Sequence, residues 1–148
     1  MHYFEAVWRL IRRPPTFVRA HAVEVAIGFM IGVLTFVGAH TVEVAMWRDW
    51  FGGEHAPWFL NSGRAVAFTM GCIFMASVAE SALATSELPV GGVTVALGAV
   101  AAMTAVLMAG PGGTIFPIAL AIGGELLLLS SAAGALVGWA IRRTVRSR

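Results

Sequence analysis

Lysine is absent from this chain of 148 residues, and all ten of its basic residues are arginines. Retinal pigments and pyridoxal enzymes hold their cofactor through a lysine Schiff base, so both classes are excluded. Cysteine is nearly absent as well, and the single Cys72 leaves no intrachain disulfide and no cysteine metal cluster. Because Cys72 lies in an apolar run, we interpret it as a packing residue.

Charge is scarce too. Charged residues make up 12% of the chain and hydrophobic residues 58%, which is far from the composition of soluble proteins. The formal net charge is only +2, and the arginines concentrate near the two termini, where a membrane surface explains them. We therefore expect an integral membrane protein whose first partners are membrane lipids, and we predict no nucleic-acid binding.

The longest apolar segment is bracketed by two similar octets. One octet contains His21 and Glu24, and the other contains His40 and Glu43, each pair spaced as His-x-x-Glu. No charged residue lies between Glu24 and Glu43. A run of this length without charge predicts a helix that crosses a bilayer.

Three further apolar runs follow, separated by short segments rich in proline and glycine. The predicted fold is all-α, a single membrane domain over residues 1–148 that forms a bundle of four transmembrane helices. We place these helices at residues 23–46, 65–86, 90–109 and 114–141.

Aromatic residues predict where the chain meets the membrane surface. Residues 1–13 place Phe4 and Trp8 on one face of a helix and arginines on the other, which predicts an amphipathic helix lying in the interface. The segment after the first long run is rich in aromatic residues, as in an aromatic belt. The predicted interface residues are Phe4, Trp8, Trp47, Trp50 and Trp58.

Small residues recur at helical spacing and predict close helix contacts. Gly28 and Gly32 form a G-x-x-x-G pair, and two further stripes follow in the third and fourth helices. The third helix is uncharged and full of small residues, so we expect it to be central. The predicted packing residues are Gly28, Gly32, Gly98, Ala102, Ser130, Gly134 and Gly138.

Two carboxylates inside predicted helices, Glu80 and Glu125, are the candidate ion- or proton-binding residues. An ionised acid near the bilayer centre costs about 2.5–3.5 kcal/mol on translocon scales, so each needs a compensating role. One hypothesis is a carboxyl group that exchanges a proton for a cargo. The alternative is a structural acid that is neutral or hydrogen-bonded to a neighbouring helix.

The His-x-x-Glu pairs allow two interpretations. Residues at i and i+3 share a helix face, as in metal-binding four-helix proteins, which makes His21, Glu24, His40 and Glu43 weak metal candidates. A second histidine-bearing helix is missing from the sequence, so we favour polar caps at the two membrane interfaces. We predict no cofactor.

The arginine distribution predicts that both termini face the cytoplasm, most simply in a bacterial inner membrane. No nucleophile–base pair is recognisable, so we expect no enzyme. The favoured function is a structural accessory subunit of a larger membrane complex. One alternative is a small homo-oligomeric transporter or channel, coupled to ions or protons, that uses the intramembrane glutamates. Another is a phage-type pore former.

Overall fold

The structure, a computed structural model, describes residues 21–45, 58–84, 90–109 and 116–146. These residues form four helices, each long and apolar enough to cross a membrane, which confirms the all-helical architecture. The helices are α1 (Ala22–Ala45), α2 (Trp58–Leu83), α3 (Val90–Ala109) and α4 (Phe116–Arg146). The predicted interfacial helix at residues 1–13 lies outside the described residues.

The helix boundaries differ from the predicted ones mainly in α2 and α4. Helix α2 begins at Trp58 rather than at residue 65, and α4 continues to Arg146 rather than ending at residue 141. The sequence boundaries follow hydropathy, which marks the apolar part of a helix rather than its hydrogen-bonded length. No proline lies between Trp58 and Arg64, and the lower helix propensity of Asn61, Ser62 and Gly63 is too small to end the helix.

The helices pack most extensively in two pairs, α1 with α3 and α2 with α4. In the first pair, Gly28 meets Thr94 and Gly32 meets Val95, so the partner residue number rises along both helices. In the second pair, Gly134 meets Phe74 and Gly138 meets Val78, so both pairs are parallel. Helix α3 also contacts α2 and α4, and it is the most buried of the four, as its small residues predict.

The interior is a layer of close-packed apolar side chains contributed by all four helices. Phe36, Ile73, Val95 and Leu127 meet there, together with Ala99, Ala102 and Met103. The outward surfaces are apolar as well, with Leu34, Met75 and Leu129 among the exposed side chains. A large exposed apolar surface on every helix is the opposite of the pattern in a water-soluble bundle.

Candidate functional site

The seam between α1 and α3 depends on glycines that leave no room for a side chain. A Cβ atom on Gly32 would overlap the carbonyl oxygen of Val95, and one on Gly98 would overlap that of Phe29. On Gly28, a Cβ atom would overlap the Thr94 hydroxyl. Because two of these obstacles are backbone atoms, the two helices are as close as their backbones allow.

The seam between α2 and α4 combines the same close approach with hydroxyl hydrogen bonds. Cβ atoms on Gly134 and Gly138 would overlap the carbonyl oxygens of Phe74 and Val78. The Ser130 hydroxyl donates to the Met70 carbonyl oxygen across the seam at 2.7 Å. The predicted stripe of α4 therefore faces α2.

A buried serine pair joins three helices near the end of the bundle at which α3 begins. The Ser77 and Ser131 hydroxyl oxygens lie 2.7 Å apart, and Ser131 also donates to the Gly92 carbonyl oxygen of α3. Both side chains are fully buried. These polar groups are satisfied by protein partners, so their role is to fix the positions of α2, α3 and α4.

Glu80 lies in a cluster of polar residues, which we call the Glu80 end. Glu80 itself is buried, and its carboxyl group occupies the space that a Cβ atom on Gly91 would take. Ser81 donates to its Oε2 atom at 3.4 Å. The charges of Glu24 from α1 and Arg142 from α4 also act on this carboxyl group.

Arg142 also belongs to this cluster, although the sequence alone shows it only as one of the arginines near the C-terminus. It is 7% exposed, and its Nη1 atom donates to the Ala84 carbonyl oxygen at 2.7 Å, just beyond the end of α2. Its position extends the packing stripe of Ser130, Gly134 and Gly138 by one more step of four residues. That spacing is the signal that would have found it.

The opposite end of the bundle holds the second His-x-x-Glu pair, and we call it the Glu43 end. The His40 Nδ1 atom lies 3.6 Å from Glu43 Oε2, and Thr69 of α2 donates to the other carboxylate oxygen. The His40 ring stacks on Phe36 with their centroids 6.3 Å apart. The sequence reading missed Thr69, although it lies at four-residue steps from Ile73 and Ser77 on one face of α2.

The first His-x-x-Glu pair has the same local geometry, with His21 Nδ1 lying 3.3 Å from Glu24 Oε2. The structure thus brings each histidine to its own glutamate, and Glu43 also accepts a hydrogen bond from Thr69. Within the described helices, no group of three histidine, cysteine or acidic residues is arranged to hold a metal ion.

Glu125 is placed quite differently from Glu80. It is exposed on α4, pointing away from the bundle, with Ile122 and Leu129 exposed on the same side of the helix. The two candidate carboxylates are therefore not brought together. Of the predicted interface residues, Trp58 begins α2, whereas Phe4, Trp8, Trp47 and Trp50 lie outside the described residues.

Cys72 is half-buried on α2.

Comparison of the chain with protein-family models, with curated proteins and with solved structures gave no match.

Proposed function

We propose that this protein is an integral membrane protein in which all four helices span the bilayer. Two observations support the proposal. Each helix contains an apolar span of 19 to 27 residues, and the side chains on the outward surfaces are apolar. The arginines near both termini favour a cytoplasmic location for the Glu80 end, in a membrane such as the bacterial inner membrane.

Within that membrane, the protein acts as a structural accessory subunit of a larger complex. The single observation that carries this proposal is the outward position of Glu125. At 1.5 Å per residue, Glu125 lies about 14 Å along the axis from Phe116 and about 26 Å from Arg142. Those distances support a position of its carboxyl group inside a hydrocarbon layer about 30 Å thick.

A lipid-facing carboxylate at that depth costs about 2.5–3.5 kcal/mol on translocon scales. A neighbouring protein helix removes this cost by supplying a hydrogen-bond donor in place of hydrocarbon. Glu125 therefore marks a face of α4 that another polypeptide covers, and such a face is what an assembly subunit presents.

The interior of the bundle also favours a structural role. Ile73 of α2 is 0% exposed. It lies between Thr69, at the Glu43 end, and Ser77, which is closer to the Glu80 end. Phe36 and Leu127 fill the same layer from α1 and α4. Water and ions need polar partners to cross a membrane, and this layer offers none between the two polar ends.

The alternative is a small homo-oligomeric transporter or channel in which Glu80 binds an ion or a proton. The observation that favours it is the convergence of Glu24, Glu80 and Arg142 from three helices at one end of the bundle. In this alternative, transport requires the apolar layer around Ile73 to open.

The first experiment measures the mass and composition of the particle that mild detergent extracts from the native membrane. An accessory subunit gives a particle that contains other polypeptides in fixed ratio. A particle made of this chain alone would contradict the proposal and favour the transporter.

A pair of matched variants locates the covered face. Ala132→Trp adds an indole to the outward face of α4, and Leu34→Trp adds one to the outward face of α1; both positions are exposed. We expect Ala132→Trp to release the neighbouring polypeptides and Leu34→Trp to retain them. Equal retention by both variants would show that the α4 face is not the contact.

The transporter alternative is tested by flux. Proteoliposomes that contain the wild type, Glu80→Gln or Glu125→Gln are compared for uptake of protons and monovalent cations. The accessory function predicts no flux above protein-free vesicles for any of the three. A wild-type flux that either substitution abolishes, with the fold intact by circular dichroism, would refute the structural role.

A further inference from the structure

We propose that the surface of α4 formed by Trp139, Arg143 and Arg146 binds the phosphate headgroup of an anionic phospholipid. This inference rests on the proposed membrane location, and it adds a partner of a different chemical class from the neighbouring polypeptide. The three residues are spaced at i, i+4 and i+7, so their side chains share one side of the helix. We call this surface the arginine face.

Arg143 is held in a geometry that suits a phosphate group. It is exposed, and its guanidinium carbon lies over the Trp139 ring at 5.4 Å from the ring centroid. Stacking of this kind uses the flat face of the guanidinium group, whereas its N–H donors lie along the edge and stay accessible. A phosphate group accepts two such hydrogen bonds side by side. The stacked ring therefore orients the donors without occupying them.

The positive charge of the arginine face is directed outward. Within the described part of the chain, the ion pairs belong to the two His-x-x-Glu pairs, and neither includes Arg143 or Arg146. Both arginines are exposed. Arg142 differs from them, because it is buried and donates to the Ala84 carbonyl oxygen. Two exposed cations three residues apart thus complement an anionic headgroup.

The arginine face also lies at the depth of the headgroups in the proposed membrane. At 1.5 Å per residue, Trp139 is about 35 Å along the axis from Phe116, and Arg143 is about 40 Å from it. The hydrocarbon layer is about 30 Å thick. A helix that begins near one surface of this layer therefore carries both residues past the other surface, where tryptophan is enriched and lipid phosphates lie.

The surroundings of the arginine face favour a lipid over an acidic segment of a neighbouring polypeptide. Ile141 and Val145 are 47% and 69% exposed in the same two turns of α4. Basic and apolar side chains exposed together are typical of the boundary between headgroups and acyl chains. Arg143 lies about 27 Å along the axis from Glu125, so a bound headgroup leaves the proposed polypeptide contact uncovered.

Lipid binding by the purified chain tests the site. The chain in mild detergent is titrated with anionic phosphatidylglycerol or with zwitterionic phosphatidylcholine, and bound lipids are counted by native mass spectrometry. Each arginine near an anionic headgroup contributes a factor of about five, so Arg143→Gln should weaken phosphatidylglycerol binding about 5-fold and Arg143→Gln/Arg146→Gln about 25-fold. Phosphatidylcholine binding should not change. Arg64→Gln, at an exposed arginine of the Glu43 end, is the control and should bind phosphatidylglycerol as the wild type does.

A further substitution tests the stacked geometry. Trp139→Leu keeps both charges of the arginine face and should weaken phosphatidylglycerol binding about 2- to 5-fold, because it removes the ring that orients Arg143. Every variant keeps the remaining arginines of the chain, so differences between variants report on this face alone. The headgroup site is refuted if the double variant, with its helicity intact by circular dichroism, binds phosphatidylglycerol as tightly as the wild type. Unchanged binding by Trp139→Leu would overturn the role of the stacking.

Two other outcomes would identify a different occupant. We expect inorganic phosphate at the same concentration not to displace phosphatidylglycerol, and displacement would show a site for soluble anions instead. Loss of a co-extracted polypeptide from the double variant, with lipid binding unchanged, would show an acidic protein partner instead.

The accessory function is decided by a separate observation. A native particle that contains other polypeptides supports that function even if the double variant binds phosphatidylglycerol normally, which refutes only the headgroup site. A native particle made of this chain alone contradicts the accessory function even if lipid binding depends on the two arginines as expected.

Discussion

Replacing Gly32 by alanine adds one methyl group at the tightest point of the α1–α3 seam. Besides overlapping the Val95 carbonyl oxygen, the new Cβ atom would lie 2.8 Å from the Val95 carbonyl carbon and 2.9 Å from the Ala99 nitrogen. Optimal contacts between carbon atoms are about 3.5–4.0 Å long. All three obstacles are backbone atoms, so no side-chain rotation relieves the clash, and the helices must separate by about 1 Å.

A gap of that size forfeits about a quarter to a half of the dispersion energy of each affected contact. Overpacking of a close-packed interior by one methyl group costs about 1–3 kcal/mol, and we expect Gly32→Ala to lie in the upper part of this range. Gly38 of the same helix provides the matched control, since a Cβ atom there would meet nothing within 4 Å. For Gly38→Ala we expect a change within about 1 kcal/mol, in the stabilising direction, because alanine has the higher helix propensity.

The free energy of unfolding of both variants is measured by titrating sodium dodecyl sulfate into mixed micelles and following helical circular dichroism. The expected order of stability places Gly38→Ala at or above the wild type and Gly32→Ala clearly below it. If Gly32→Ala unfolds at the same detergent fraction as Gly38→Ala, the two helices do not approach closely and the described seam is wrong.

Three further substitutions test the polar contacts with the same assay. Thr69→Val should destabilise the protein by about 1 kcal/mol because it removes the hydrogen bond to Glu43 of α1. Thr104→Val is the control, and it should change stability less because Thr104 donates only to a carbonyl oxygen of its own helix. Arg142→Ala should lower the free energy of unfolding by about 1.5–3 kcal/mol, the range for a hydrogen bond from a charged group. The exposed control Arg143→Ala should lower it by less than about 1 kcal/mol. Similar effects of the two substitutions would contradict the burial of Arg142. Ser131→Ala should cost about 0.6–2 kcal/mol through lost interhelical bonds, and an unchanged stability would count against the serine pair.

The sequence predicts the number and type of helices well, because a helix that crosses a bilayer needs an apolar run of about 20 residues and such runs are visible in the sequence. It also predicts which small residues occur at helical spacing, although not which helix they meet. The pairing of α1 with α3 and of α2 with α4 depends on long-range packing, which one sequence does not encode in any local pattern. Arg142 shows the same limit. From the sequence, a group of arginines near a terminus predicts exposed side chains, and only the packing of α4 against α2 shows that Arg142 is buried.

Glu80 and Glu125 illustrate most directly why the candidate site required a structure. In the sequence, each is a single acidic residue inside an apolar helix with a small residue next to it, so the local composition does not distinguish them. Their difference is rotational: Glu80 lies on the face of its helix that meets Gly91, and Glu125 lies on the outward face. A buried acid with partners from its own bundle stabilises one copy of the protein, whereas the partner that we propose for the outward acid is another polypeptide. Substituting Glu80 should therefore alter the stability of an isolated copy, and substituting Glu125 should alter assembly while leaving that stability nearly unchanged.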